Sequence, residues 1–157
     1  MAATGVGVVA AYAALMAVES LVLDPLAAVP GQSLAQIHSH LTRAGMDVAA
    51  DIWSVLIFSA VGVVLALVAA FVGLRTNVAA PGLAITFLGI LALGAVVTFG
   101  NGFALGMDVA DAYGISGGDH TIWAGALYTT SLIAAVAIPV VVIVAAKRRT
   151  ELRTSLA

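Results

Sequence analysis

The residues whose chemistry could bind a metal are His38, His40 and His120, with Asp108, Asp111 and Asp119. Imidazole and carboxylate together suit a divalent transition metal. The spacing works against such a site. On a helix, side chains two residues apart point roughly 200° apart, so His38 and His40 reach one ion only from an extended segment. Leu34, Ile37 and Leu41 recur at helical spacing in that same segment. The expectation is two ordinary interfacial histidines and no metal. His38, His120, Asp108, Asp111 and Asp119 are the residues to inspect if a metal is held at all.

Glu19 is a different kind of candidate. It is the one acid or base well inside an apolar run, and ionisable groups within membrane spans are functional candidates by default because they are costly there. It precedes Leu23 by four residues, about 6 Å along a helix. Thr98 and Asn101 fall at a similar depth in a later run, and Tyr128 with Thr129 and Thr130 in the last. Glu19, Thr98, Asn101 and Tyr128 are therefore the candidates for an outward-facing polar pocket, whose functional reading is the handling of a proton or cation. The competing reading has Glu19 reach up to the interface or hydrogen-bond within the bundle. One acid makes no conducting path, and no second buried charge stands ready to relay a proton.

These residues sit in a chain of 157 residues that is 62% apolar, where a soluble domain is nearer ~45–50%. Charged residues make up 9%, against ~25% in a soluble domain. Mean hydropathy is +1.15. Too few charges exist to cover a water-facing surface. A soluble enzyme, a nucleic-acid binder and a disordered chain are excluded, and an integral membrane protein remains. The net charge of −2 leaves no basic patch for nucleic acid. The absence of cysteine excludes disulfides, zinc thiolates, iron–sulfur clusters and thioether-linked haem. All three histidines lie outside the apolar runs, which argues against haem between helices. No cofactor is expected.

A helix crosses ~30 Å of hydrocarbon with about 20 apolar residues. Four runs qualify, at about 4–23, 52–74, 80–102 and 122–146. The fold expected is all-α: an integral membrane four-helix bundle of two antiparallel hairpins, in one domain. The first run lacks the Lys or Arg that opens a secretory signal and is longer than a signal's apolar core, so it reads as a retained span. It is expected to stop before Asp24-Pro25, since proline disfavours helical geometry in the residue before it. Pro139, inside the fourth run, should kink that helix.

Lys and Arg in short flanks set orientation. Arg75, Lys147, Arg148, Arg149 and Arg153 fall on one side and Arg43 alone on the other. Both termini, the turn 75–79 and the tail 147–157 are expected in the cytoplasm of a cell whose plasma membrane holds the protein. Loops 24–51 and 103–121 are then outside. In the first, Ser33 and Gln36 form a capping-box pattern and Gly45 offers a stop, which predicts a short amphipathic helix over 34–44, lying on the membrane or capping the bundle. Asp47 should cap the second span. Asp119, or alternatively Ser116 or Thr121, should cap the fourth.

The third run carries small residues at every fourth position, including Gly94, Thr98 and Gly102. The second carries Gly62, Ala66 and Ala70. Small residues at this spacing let helix backbones approach closely. These stripes are expected to face each other, or one of them to face a partner subunit. No nucleophile elbow, P-loop, HExxH or dinucleotide fingerprint occurs. Gly5 and Gly7 open a span and follow no strand. The Ala/Val/Gly-rich composition is similar to that of small membrane proteins of high-GC bacteria. The leading functional expectation is a non-catalytic multi-pass membrane protein, an accessory or structural subunit of an assembly. Its partners are the lipid bilayer, other membrane subunits or a second copy of itself, and not nucleic acid. The rival is a small transporter, channel or outer-side ligand-binding protein using Glu19, Asn101 and the acid- and His-bearing loops.

Overall fold

The computed structural model describes residues 1–154, with side chains through residue 151. Residues 155–157 and the Arg153 side chain lie outside the described part. The described chain is all-helical. Helix α1 (Ala2–Val18) runs into a π-helical turn (Glu19–Leu23) and on into α2 (Asp24–Ala28). Then come α3 (Leu34–Arg43), α4 (Val48–Arg75), α5 (Ala80–Tyr113) and α6 (Ile122–Thr154). Four helical stretches are long and apolar enough to cross a membrane: Ala2–Ala28, Val48–Arg75, Ala80–Tyr113 and Ile122–Glu151. That arrangement fits a multi-pass membrane protein.

Three boundaries differ from the sequence reading. The first helix does not stop at Asp24-Pro25. It widens into a π turn, with the Asp24 N–H bonded to the Glu19 carbonyl, and then restarts with Pro25 in the first turn of α2. The wider turn accommodates the missing proline donor and the ring that would crowd a tighter one. The third helix does not end near Gly102. It continues through residues 103–113, so Asp108 and Asp111 lie on a helix rather than in a loop. At 34 residues this helix is about 50 Å long and stands well beyond the ~30 Å hydrocarbon layer. The fourth helix runs through Pro139 and through most of the expected tail, to Thr154.

The protruding end of α5 is helical because it has something to pack on. Leu105 and Val109, one turn apart, form a buried cluster with Ile37, Leu41 and Val48. Helix α3 therefore caps the bundle rather than lying apart on a membrane surface. Its start is the expected capping box: Ser33 Oγ accepts from the Gln36 N–H, and Gln36 Oε1 accepts from the Ser33 N–H at 2.8 Å. Its end is a left-handed Gly45 at φ 91°, with the Met46 N–H on the Leu41 carbonyl at 3.1 Å. A glycine takes that backbone conformation without the Cβ penalty.

At the opposite end, α4 and α5 join through a tight turn. Asn77 is left-handed at φ 49° and the Val78 N–H reaches back to the Gly73 carbonyl at 3.0 Å, closing a Schellman motif. A second core lies in this half, made of Val9, Ala66, Ala70, Leu83, Phe87, Leu91 and Ala134. The main packing partners are α5 with α6 and α1 with α4. The small-residue stripes do not simply face each other. Gly94 receives the Tyr12 ring of α1: a Cβ there would fall 2.7 Å from a ring carbon. Ala66 is buried in the apolar core, and Gly62 faces a cleft that it shares with Tyr12 and Gly94. At Gly94 and Thr98 the α5 stripe meets a bulky aromatic from α1.

Candidate functional site

The polar side chains gather where the π turn of α1 meets the start of α6. Five residues separate Glu19 from Asp24. On an α-helix they would point about 140° apart, but one π turn brings them toward the same side. Both take hold of the chain entering α6. Thr121 Oγ1 donates to Glu19 Oε1 at 2.6 Å. The His120 N–H donates to Asp24 Oδ1 at 2.6 Å. His120 Nδ1 lies 3.4 Å from that oxygen, an ion pair when the ring is protonated. Thr121, not Asp119, is the residue that caps α6, with Oγ1 accepting the Trp123 N–H at 3.1 Å. Glu19 thus supplies negative charge from another helix to the positive end of the α6 dipole.

Beside these contacts lies a cavity of about 10 Å³, lined by Glu19, Ser20, Asp24, Thr98, Gly102 and Asp119 among others. That is room for a single water molecule. Glu19 is 3% exposed, and its Oε2 has no hydrogen-bond partner. Asp119 is exposed overall but borders the cavity. Burial, and next the Asp24 carboxylate, push its carboxyl above the usual aspartate range, while His120 pulls the other way.

The four expected pocket residues divide. Glu19 and Thr98 line the same cavity. Asn101 is buried but turns to α4, where its Oδ1 accepts from Ser54 Oγ at 3.3 Å. Tyr128 borders a neighbouring cleft with Gly102 and Asp119. Among the described residues, no three His, Asp or Glu side chains come together to hold a metal ion. His40 instead touches the Ala112 carbonyl through Nε2 at 3.1 Å and lies against the Tyr113 ring, 4.4 Å between centroids. Asp108 instead lies near the Asp51 carboxyl group of α4.

One layer deeper, Tyr12 makes a contact that sequence reasoning missed. Its hydroxyl lies 3.0 Å from Thr98 Oγ1 and 3.0 Å from Ser131 Oγ. Ser131 donates its single proton to the Leu91 carbonyl at 2.8 Å. It must therefore accept from Tyr12, and Tyr12 accepts from Thr98. Three helices are tied by one directed chain. The available signal was a tyrosine in an otherwise apolar run, seven residues and so about two turns before Glu19. Comparison with protein-family models, curated proteins and solved structures finds no match.

Proposed function

We propose that the protein is a non-catalytic, multi-pass protein of a bacterial plasma membrane, acting as an accessory or structural subunit of a larger membrane assembly. The observation that carries this reading is the division of the bundle into two halves. The polar cavity reaches Thr98, which belongs to the Tyr12–Thr98–Ser131 layer. Beyond it Val9, Ala66, Ala70, Leu83, Phe87, Leu91 and Ala134 pack into an apolar core. A bundle plugged in this way offers a site on one side and no polar path to the other. That favours binding or docking over conduction. The interior hydroxyls of Tyr12, Thr98 and Ser131 are used to tie helices together.

The surplus of Lys and Arg near 75 and 147–153 favours termini in the cytoplasm and the α3 end outside. Reporter fusions after Arg75 and after Ala157 should report cytoplasm, and one after Gly118 the exterior. The functional reading is tested by solubilising the protein from its native membrane in mild detergent. Co-purification of a membrane protein in fixed stoichiometry is the expected result. A monomer whose Glu19→Gln variant loses uptake of an ion or solute in liposomes would instead establish a transporter.

A further inference from the structure

The π turn, the unpartnered carboxylate oxygen and the neighbouring acids have a joint consequence. Glu19 Oε1 is engaged by Thr121, whereas Oε2 is buried without a partner in a residue only 3% exposed. A carboxylate oxygen removed from water needs a donor or a cation. The cavity that Glu19 lines is also lined by Asp24 and Asp119, and no Lys or Arg is among the lining residues. The compensating charge within reach is the partial positive end of α6, together with His120 when protonated, and three carboxyl groups exceed it.

We infer that this cavity is a binding site for one small monovalent cation, of the size of sodium, potassium or ammonium, with Glu19 Oε2 as its principal ligand. The volume of about 10 Å³ admits one ion stripped of most of its water. Ser20 and Thr98 line the same space and offer neutral hydroxyl oxygens beside the carboxylates. Such hard oxygen donors suit a hard ion. A carboxylate- and imidazole-bound divalent metal does not fit: Glu19, Asp24 and Asp119 line the space, but among the described residues no three His, Asp or Glu side chains are placed to share one such ion. Entry is from the α3 end. Asp119 stands exposed at the rim, and negative charge at a low-dielectric mouth raises the local concentration of cations. The Tyr12 layer closes the floor, so the ion binds and returns by the same route.

The test is thermal unfolding of the purified full chain in detergent, in sodium, potassium, ammonium or choline chloride at one ionic strength. Choline is too large for the cavity. At least one small cation should raise Tm saturably, by about 5–10 °C at a hundredfold excess over Kd, and choline should not. Glu19→Gln should abolish the shift. Asp119→Asn, in an exposed loop, should keep the shift but raise the half-saturating concentration several-fold. Equal Tm in all four salts would overturn the inference and assign Oε2 to a water molecule. Survival of the shift in Glu19→Gln would also overturn it. If Glu19→Gln fails to fold because it no longer supplies its charge to Thr121 and the start of α6, the Asp119→Asn titration decides, and an unchanged midpoint there rejects the site.

Discussion

The two ends of the bundle are held by different physics. At the α3 end, Ile37 and Leu41 are fully buried against Leu105 and Val109, at a level where water is the competing solvent. Burial there draws on the hydrophobic effect, about 1.5–3 kcal/mol per large aliphatic side chain. In the other half, lipid tails are as apolar as the core, so that drive is missing. The helices are held instead by close fit: Gly94 under the Tyr12 ring, Gly5 beside the Phe87 ring, and Leu83 against the Gly73 backbone. A mutation that removes apolar volume should therefore matter most at the α3 end. A mutation that adds volume should matter most in the membrane half.

The largest effect should come from Leu41→Ala or Ile37→Ala, each costing about 2–5 kcal/mol of α3 docking. Backbone amide exchange should rise throughout residues 34–43 while the exchange of α4 and α6 stays slow. Gly94→Ala comes next. Its Cβ meets the Tyr12 ring, and overpacking of this kind costs about 1–3 kcal/mol, read as a lower Tm in detergent. Gly100→Ala, with nothing within 4 Å of the new Cβ, should leave Tm unchanged and is the matched control. Tyr12→Phe should cost about 0.6–1.7 kcal/mol, the range for interhelical hydrogen bonds in membranes, and its effect should disappear in a Thr98→Val, Ser131→Ala background.

The smallest effect concerns pH. The Asp119 carboxyl is held above its ordinary range by burial and by Asp24. A raised folded-state pKa means that the protonated form is favoured in the fold. Stability from this group is thus present at acid pH and is lost as pH rises through that value. In choline chloride, Asp119→Asn should raise Tm slightly at neutral pH and leave it unaltered at pH 3. A constant difference at both pH values would remove the carboxyl as its cause.

The four long helices were legible because each contains a nearly continuous apolar run near 20 residues, a signal that tertiary context does not override. The extension of α5 was not read. Gly102 and Gly106 and the acids Asp108 and Asp111 look like a loop, and only the i, i+4 pair Leu105 and Val109 pointed the other way. The Asp24-Pro25 stop failed because a π turn escapes the steric rule that α geometry obeys. Glu19 stood out as the lone intramembrane acid, but its partner Thr121 is 102 positions distant, beyond the reach of local pattern. Thr98 and Asn101 share a depth. They differ by about 60° around the helix, enough to send one to α1 and the other to α4.

The central claim is that four crossings separate an acid-rich α3 end from a basic end that carries both termini. The chain contains no cysteine, so single-cysteine variants give background-free labelling with a membrane-impermeant maleimide. In intact cells Ser39→Cys and Gly118→Cys should label, Thr76→Cys and Glu151→Cys should label only after permeabilisation, and Leu93→Cys, on the lipid-facing middle of α5, should resist in both conditions. Labelling of Gly118→Cys and Thr76→Cys from the same side would contradict the account.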